Sequence, residues 1–165
     1  MIRLKTFEKK DLRKKYLILG LGNTIRGDDG IGIYLTKFLE KKFFNLADII
    51  STEEMGLSLL DFLSPYEKAV IIDSIFTGKK DIGEIYIFKE KDFDSKQIKS
   101  NHYIGLPEIS KIAKKLKIPF PKELLIIGIS VEDPYTIKPE LSENLKEKIP
   151  EIITKIEKLI RDFLK

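Results

Sequence analysis

Short apolar runs along the chain alternate with stretches in which apolar residues recur every three or four positions. Tyr16-Leu17-Ile18-Leu19-Gly20-Leu21 is a near-continuous apolar run, the profile of a strand buried on both faces. After a polar loop, Ile31, Leu35, Phe38 and Leu39 fall at helical spacing and predict a helix over residues 30–43. Residues 47–51 read as a second strand, and a helix over 55–64, with Leu57, Leu60 and Phe62 apolar, stops at Pro65. Lys68-Ala69-Val70-Ile71-Ile72-Asp73 reads as a third buried strand with an acid at its end. Residues 84–88 alternate polar and apolar, which suits a strand beside a solvated edge, and 89–104 are polar loop. Ile109, Ile112, Ala113 and Leu116 mark a helix over 106–116, and residues 124–129 a fifth strand. The stripe Ile149, Ile152, Ile153, Ile156, Leu159, Ile160 and Phe163 predicts an amphipathic C-terminal helix with Pro150 in its first turn. Strands alternating with helices give an α/β fold: a three-layer sandwich, its mostly parallel twisted sheet of about five strands covered by helices on both faces.

Composition narrows the picture. The chain has 165 residues, 42% hydrophobic and 34% charged, enough for one domain with a real core and too apolar for a disordered chain. It has no cysteine, which removes disulfides, thiolate metal sites and a cysteine nucleophile together. The N-terminus carries no secretion-signal pattern and no apolar run is long enough to span a membrane, so a soluble cytoplasmic monomer is expected. The net charge of +4 is a tail effect. Residues 1–15 hold seven of the 30 basic groups and two of the 26 acidic ones, which leaves the other 150 residues at −1. The division expected is a basic extension over 1–15 and a single domain over 16–165, with no nucleic-acid partner.

The first strand runs into Gly20-Leu21-Gly22-Asn23-Thr24-Ile25-Arg26-Gly27-Asp28-Asp29-Gly30-Ile31-Gly32. A glycine-rich loop opening a helix normally suggests a phosphate site. The dinucleotide pattern G-x-G-x-x-G fails at Ile25, and the pattern G-x-x-x-x-G-K-S/T fails because Asp28-Asp29 replace the lysine and hydroxyl. Paired carboxylates repel a polyphosphate and attract a cation. Ligands of open α/β sheets bind outside the carboxyl ends of the strands, where the strand order reverses. If the first and third strands are neighbours, Asp29 and Asp73 face one crevice. The single histidine, His102, lies in a polar loop before a helix, and two carboxylates with one imidazole form a metal-ligand set. Each also has a plain structural role open to it: Asp28 or Asp29 as a helix cap, Asp73-Ser74 as a turn, His102 as a surface residue.

The loop from Gly20 to Gly32 resembles the N-terminal signature of the hydrogenase maturation endopeptidases, which process the large subunit of [NiFe] hydrogenases. Ile71-Ile72-Asp73-Ser74, Ser100-Asn101-His102-Tyr103-Ile104-Gly105-Leu106 and Ile126-Ile127-Gly128-Ile129 follow in the family's order. The resemblance implies a metal-coordinating set of Asp29, Asp73 and His102, the loop acid being the second of its pair, with Asp29 and Asp73 as the catalytic carboxylates. It also implies that nickel arrives with the precursor, so that no tightly bound metal is expected. The chain departs from the family in its charged segment before Tyr16 and in Ser130-Val131-Glu132-Asp133-Pro134, where many members have a Gln-Pro turn.

The implied reaction is cleavage of one peptide bond near the C-terminus of a [NiFe] hydrogenase large-subunit precursor, after nickel insertion. The sequence leaves open whether metal polarises the carbonyl or a carboxylate acts as general base. A serine triad has no support, because no G-x-S-x-G turn is present. Two other classes stay open: a hydrolase of small molecules with a tightly held metal, and a non-catalytic module that holds a partner's terminus.

Overall fold

In the computed structural model, residues 15–64, 66–89, 92 and 106–165 are described. The sheet has five strands: β1 (Tyr16–Leu21), β2 (Ala47–Thr52), β3 (Lys68–Ile75), β4 (Ile85–Lys89) and β5 (Glu123–Ser130). Their spatial order is β2-β1-β3-β5-β4. All neighbours are parallel except β4, which closes the edge antiparallel to β5. The helices are α1 (Ile31–Phe43), α2 (Leu59–Leu63), α3 (Leu106–Leu116) and α4 (Glu143–Phe163).

Alternation along each strand sorts the core into two layers. Ile18, Val70, Ile72, Leu125 and Ile127 point to the face covered by α1 and α4. Leu17, Leu19, Ala69, Ile71 and Ile126 point to the face covered by α2 and α3. The central strands are therefore apolar on both sides, which is why they read as unbroken hydrophobic runs. The chain leaves β1 for β2 on one side and then for β3 on the other. The β1–β3 seam is the topological switch point, where ligands of such folds bind.

Gly32 makes the close seating of α1 possible. A Cβ at this position would collide with the carbonyls of Leu21 and Ile72, so only glycine lets the first turn of α1 lie directly on β1 and β3.

Three elements differ by more than one residue from those expected of the sequence. β3 continues past Asp73 to Ile75, because Ser74 stays paired with Ile129 and Ile75 with Ser130. The helix expected over 55–64 is a 3-10 turn, Gly56–Ser58, followed by the single α-turn of α2. The largest difference is α4, which starts at Glu143 and carries Pro150 in its interior. Ser142 caps it by accepting the Leu145 N–H at 3.3 Å. Pro150 stands on the exposed side of the helix, where its missing N–H costs α4 one backbone hydrogen bond. The buried stripe from Leu145 to Ile160 holds α4 to the sheet, each fully buried Ile or Leu contributing about 1.5–3 kcal/mol.

Of the expected extension over residues 1–15, only Lys15 lies among the described residues. Its carbonyl accepts the Glu67 N–H at 2.8 Å, so the ordered network already includes it.

Candidate active site

The glycine-acid loop is fixed on both flanks by hydrogen bonds. Asn23 Oδ1 accepts the Ile25 N–H at 3.1 Å, an Asx turn that starts the reversal after β1. Thr24 donates both its N–H (2.9 Å) and its hydroxyl (2.6 Å) to Glu53 Oε1, which ties the loop to the segment after β2. On the other flank Lys138 donates its N–H to the Ile25 carbonyl at 2.9 Å, and Gly27 donates to the Lys138 carbonyl at 2.6 Å. Gly27 has φ +55, a conformation that favours glycine, and there the chain turns into a 3-10 turn, Gly27–Gly30, that leads into α1.

The two acids of that turn have different partners. Asp28 is buried and accepts from Ser142 twice, the N–H on Oδ1 at 2.6 Å and the hydroxyl on Oδ2 at 2.7 Å. Asp29, also buried, accepts the Ser74 hydroxyl on Oδ1 at 2.7 Å. The N-cap position of α1 is held by Gly30, so neither acid stands at the cap position.

Asp73 is fully buried near the end of β3, and its Oδ1 accepts the Ser74 N–H at 2.8 Å. Both Asp29 and Asp73 are thus hydrogen-bonded to the same residue, at the β1–β3 switch point. β1 and β3 pair directly, from Tyr16↔Lys68 to Gly20↔Ile72, which is the neighbour relationship the crevice requires. His102 lies outside the described residues, as does most of the loop expected over 89–104. Among the described residues no three metal-ligating side chains cluster. The donor chemistry of the two carboxylates suits a cation, since ionised carboxylates are acceptor-only groups.

A second carboxylate network borders this end of the sheet. Asp81, in the connection from β3 to β4, accepts the hydroxyls of Tyr86 (2.5 Å), Ser130 (2.6 Å) and Thr77 (2.7 Å). Burial pushes its pKa up, but the three hydroxyls outweigh that and hold it below the ordinary carboxylate value. The same carboxylate raises the pKa of Tyr86. Next to the glycine-acid loop, a cavity of about 280 Å³ opens between α1 and α4, lined by residues that include Thr24, Gly27, Tyr34, Lys37 and Lys146. Asp29, Asp73 and Ser74 are not among its lining residues.

Glu53 and Ser142 are absent from the sequence reading, and Ser74 enters it only beside Asp73, as part of a turn or strand end. Ser74 carried a faint signal, a hydroxyl directly after the strand-end acid. Glu53 and Ser142 carried none, because their partners are 29 and 114 residues away.

Paired buried acids at the switch point of a doubly wound sheet make a candidate carboxylate site in an α/β domain. A sequence model of the hydrogenase maturation proteases matches residues 33–159, and the chain belongs to that family of peptidases. The match begins after the glycine-acid loop, so it is independent of that motif. The hydrogenase 2 maturation protease of Escherichia coli is 24% identical over 148 residues, 84% of this chain and 88% of its own length. The hydrogenase maturating endopeptidase HybD of E. coli shares the fold at a TM-score of 0.71 and 22% identity, covering 90% of this chain and 93% of its own. The [NiFe] hydrogenase maturation protease HybD of Thermococcus kodakarensis is 27% identical with a TM-score of 0.64, covering 88% and 98%.

Proposed function

We propose that this peptidase removes the C-terminal extension of a [NiFe] hydrogenase large-subunit precursor after nickel insertion. Asp29, Asp73 and His102 meet the nickel that the precursor carries, and the protein works as a cytoplasmic monomer with no metal held tightly between turnovers. The observation that carries this reading is the convergence of Asp29 and Asp73 on Ser74 at the switch point, in a chain of this family. Two carboxylates and one imidazole, without thiolate, form a harder and weaker set for late transition metals than a cysteine site. Such a set engages an ion held by another protein without removing it. Water attacks the scissile carbonyl, a carboxylate takes its proton, and the C–N bond breaks with proton transfer to the leaving amine. Nickel met there by Asp29, Asp73 and His102 would supply Lewis-acid stabilisation of the developing oxyanion.

The surface around the acids supports a protein substrate over a small molecule. Ile25 and Ile137 are 58% and 78% exposed, and the Lys138–Ile25 backbone bond holds their segments side by side. Met55 and Leu57 are exposed on the neighbouring segment that Glu53 ties to Thr24. Exposed apolar side chains gathered on one surface are the make-up of a protein-binding face.

The test is incubation of the purified chain with nickel-loaded and nickel-free precursor, followed by mass spectrometry. Loss of the extension only from the nickel-loaded form is expected. Cleavage of nickel-free precursor in chelator would refute recognition of substrate-borne nickel, and absence of cleavage in both forms would refute the substrate.

A further inference from the structure

The cavity of about 280 Å³ beside the glycine-acid loop has walls of two kinds. Ile33, Pro139 and Leu141 make it apolar, while Tyr34, Lys37 and Lys146 bring hydrogen-bond donors. The Tyr34 ring is anchored: it packs against the α1–α4 core and meets Phe38 at 5.3 Å between ring centroids. Lys146, near the start of α4, is already engaged by two acids, Glu140 at 3.3 Å and Glu143 at 2.9 Å. Glu140 also stands in the cavity wall, so the acid that would oppose an anion there is matched by Lys146. Lys37 and the Tyr34 hydroxyl have no polar partner among the described residues. A cationic donor and a neutral one thus share an apolar cavity, and neither has an acceptor.

We infer that this cavity is a docking site for an acidic side chain on the surface of the precursor, its carboxylate received by Lys37 and the Tyr34 hydroxyl. Two unmatched donors call for an acceptor-only group, and an ionised carboxylate is one. The apolar walls suit the short aliphatic stem that carries it. The volume lies below the range of about 300–1,000 Å³ usual for small-molecule and cofactor pockets, which fits a single side chain. The inference rests on the function proposed above and adds what holds the precursor on this side. The cavity is continuous with the face assigned to that partner: Thr24 and Gly27 in its wall flank Ile25, and Pro139 lies just after Ile137. Asp29, Asp73 and Ser74 do not line it, so a contact made here governs binding and not the bond-breaking step.

The experiment measures KM and kcat for nickel-loaded precursor with wild type and Lys37→Glu over a series of salt concentrations. Lys37 is exposed, so the exchange leaves the core untouched, and melting temperatures of the free proteins check this. Lys37→Glu replaces attraction by repulsion and is expected to raise KM about fivefold at low salt, with kcat little changed. The difference should shrink as salt screens the pair. An unchanged KM, or an increase that salt does not reduce, overturns the inference. A second measurement needs no precursor. The free protein is titrated with N-acetyl-glutamate α-amide and with its neutral counterpart, N-acetyl-glutamine α-amide, and the backbone NMR shifts of Tyr34, Lys37 and Leu141 are followed. Larger shifts with the acid than with the neutral compound, lost in Lys37→Glu, are expected. Equal responses to the two compounds overturn the inference. If no precursor is processed, the substrate assignment fails and the titration alone decides the cavity, so the two failures are separable.

Discussion

Asp28 holds Ser142 through both of its carboxylate oxygens, at 2.6 Å to the N–H and 2.7 Å to the hydroxyl, across 114 residues of sequence. Ser142 is in turn the N-cap of α4, accepting from Leu145. The first acid of the pair thus joins the loop after β1 to the start of the C-terminal helix. Asp28→Ala would leave two donors of Ser142 in a partly buried site without their acceptor, at a cost of about 1–3 kcal/mol. Thermal unfolding should show a drop of roughly 2–4 °C for each kcal/mol lost. At temperatures well below unfolding, precursor processing should stay close to wild type.

The opposite pattern is expected of Asp29→Asn and Asp73→Asn. An amide oxygen can still accept the Ser74 hydroxyl or N–H, so the fold and melting temperature should change little. The amide has neither the charge to meet a cation nor the basicity to take a proton. Processing should fall by about 100-fold or more in each variant, measured by mass spectrometry of the precursor. Normal processing by both would place the chemistry elsewhere.

That contrast marks where the sequence was legible. The three central strands stood out because burial on both faces leaves unbroken apolar runs, β4 because it alternates at a solvated edge, and the glycine-acid loop by its composition. The division of labour between Asp28 and Asp29 did not. Adjacent identical acids differ only in what faces them, and their partners, Ser142 and Ser74, come from distant parts of the chain. The start of α4 was hidden for a local reason. Its first turns, Glu143 to Lys148, bury only Leu145, so the apolar stripe begins late and Pro150 looks like a first-turn proline. The end of β3 was hidden because Asp73 and Ser74 are polar yet buried, satisfied by each other and by Asp29.

Gly32→Ala tests the seating of α1. The added methyl meets the carbonyls of Leu21 and Ile72, which are backbone atoms with no alternative rotamer. Overpacking of this kind costs about 1–3 kcal/mol. Denaturant unfolding should show the midpoint shifted down with little change in slope. Because the turn that carries Asp29 leads directly into this helix, processing should decline at temperatures where the variant is still folded.

Asp81 sets a pH-dependent part of the stability. Its pKa in the folded protein lies below the ordinary value of 3.8, since the hydroxyl bonds of Ser130, Tyr86 and Thr77 outweigh the upward push of burial. A carboxyl depressed on folding contributes stability that is fully present above its unfolded pKa and lost as pH falls through the folded one. Asp81→Asn should therefore lower the melting temperature near pH 7. The gap to wild type should narrow as pH drops below about 4. A gap that stays constant between pH 7 and pH 3 would mean that the Asp81 charge contributes nothing.

Ile137 is the most exposed of the large apolar side chains described, at 78%, and its segment is bonded to that of Ile25 beside the glycine-acid loop. If the precursor docks across this face, an Ile side chain covered there contributes about 1.5–3 kcal/mol, and 1.4 kcal/mol is a factor of ten in affinity. Ile137→Asp should raise KM for nickel-loaded precursor by about tenfold or more with kcat little changed, because the residue binds substrate away from the reacting bond. Leu116→Asp is the control. It replaces an exposed leucine, 62% accessible, at the last residue of α3, away from the loops that follow β1 and β5 at the site. Its KM should match wild type. Equal KM values for all three proteins would show that the precursor does not use the Ile137 surface, while parallel increases in both variants would point to a general effect of added negative charge.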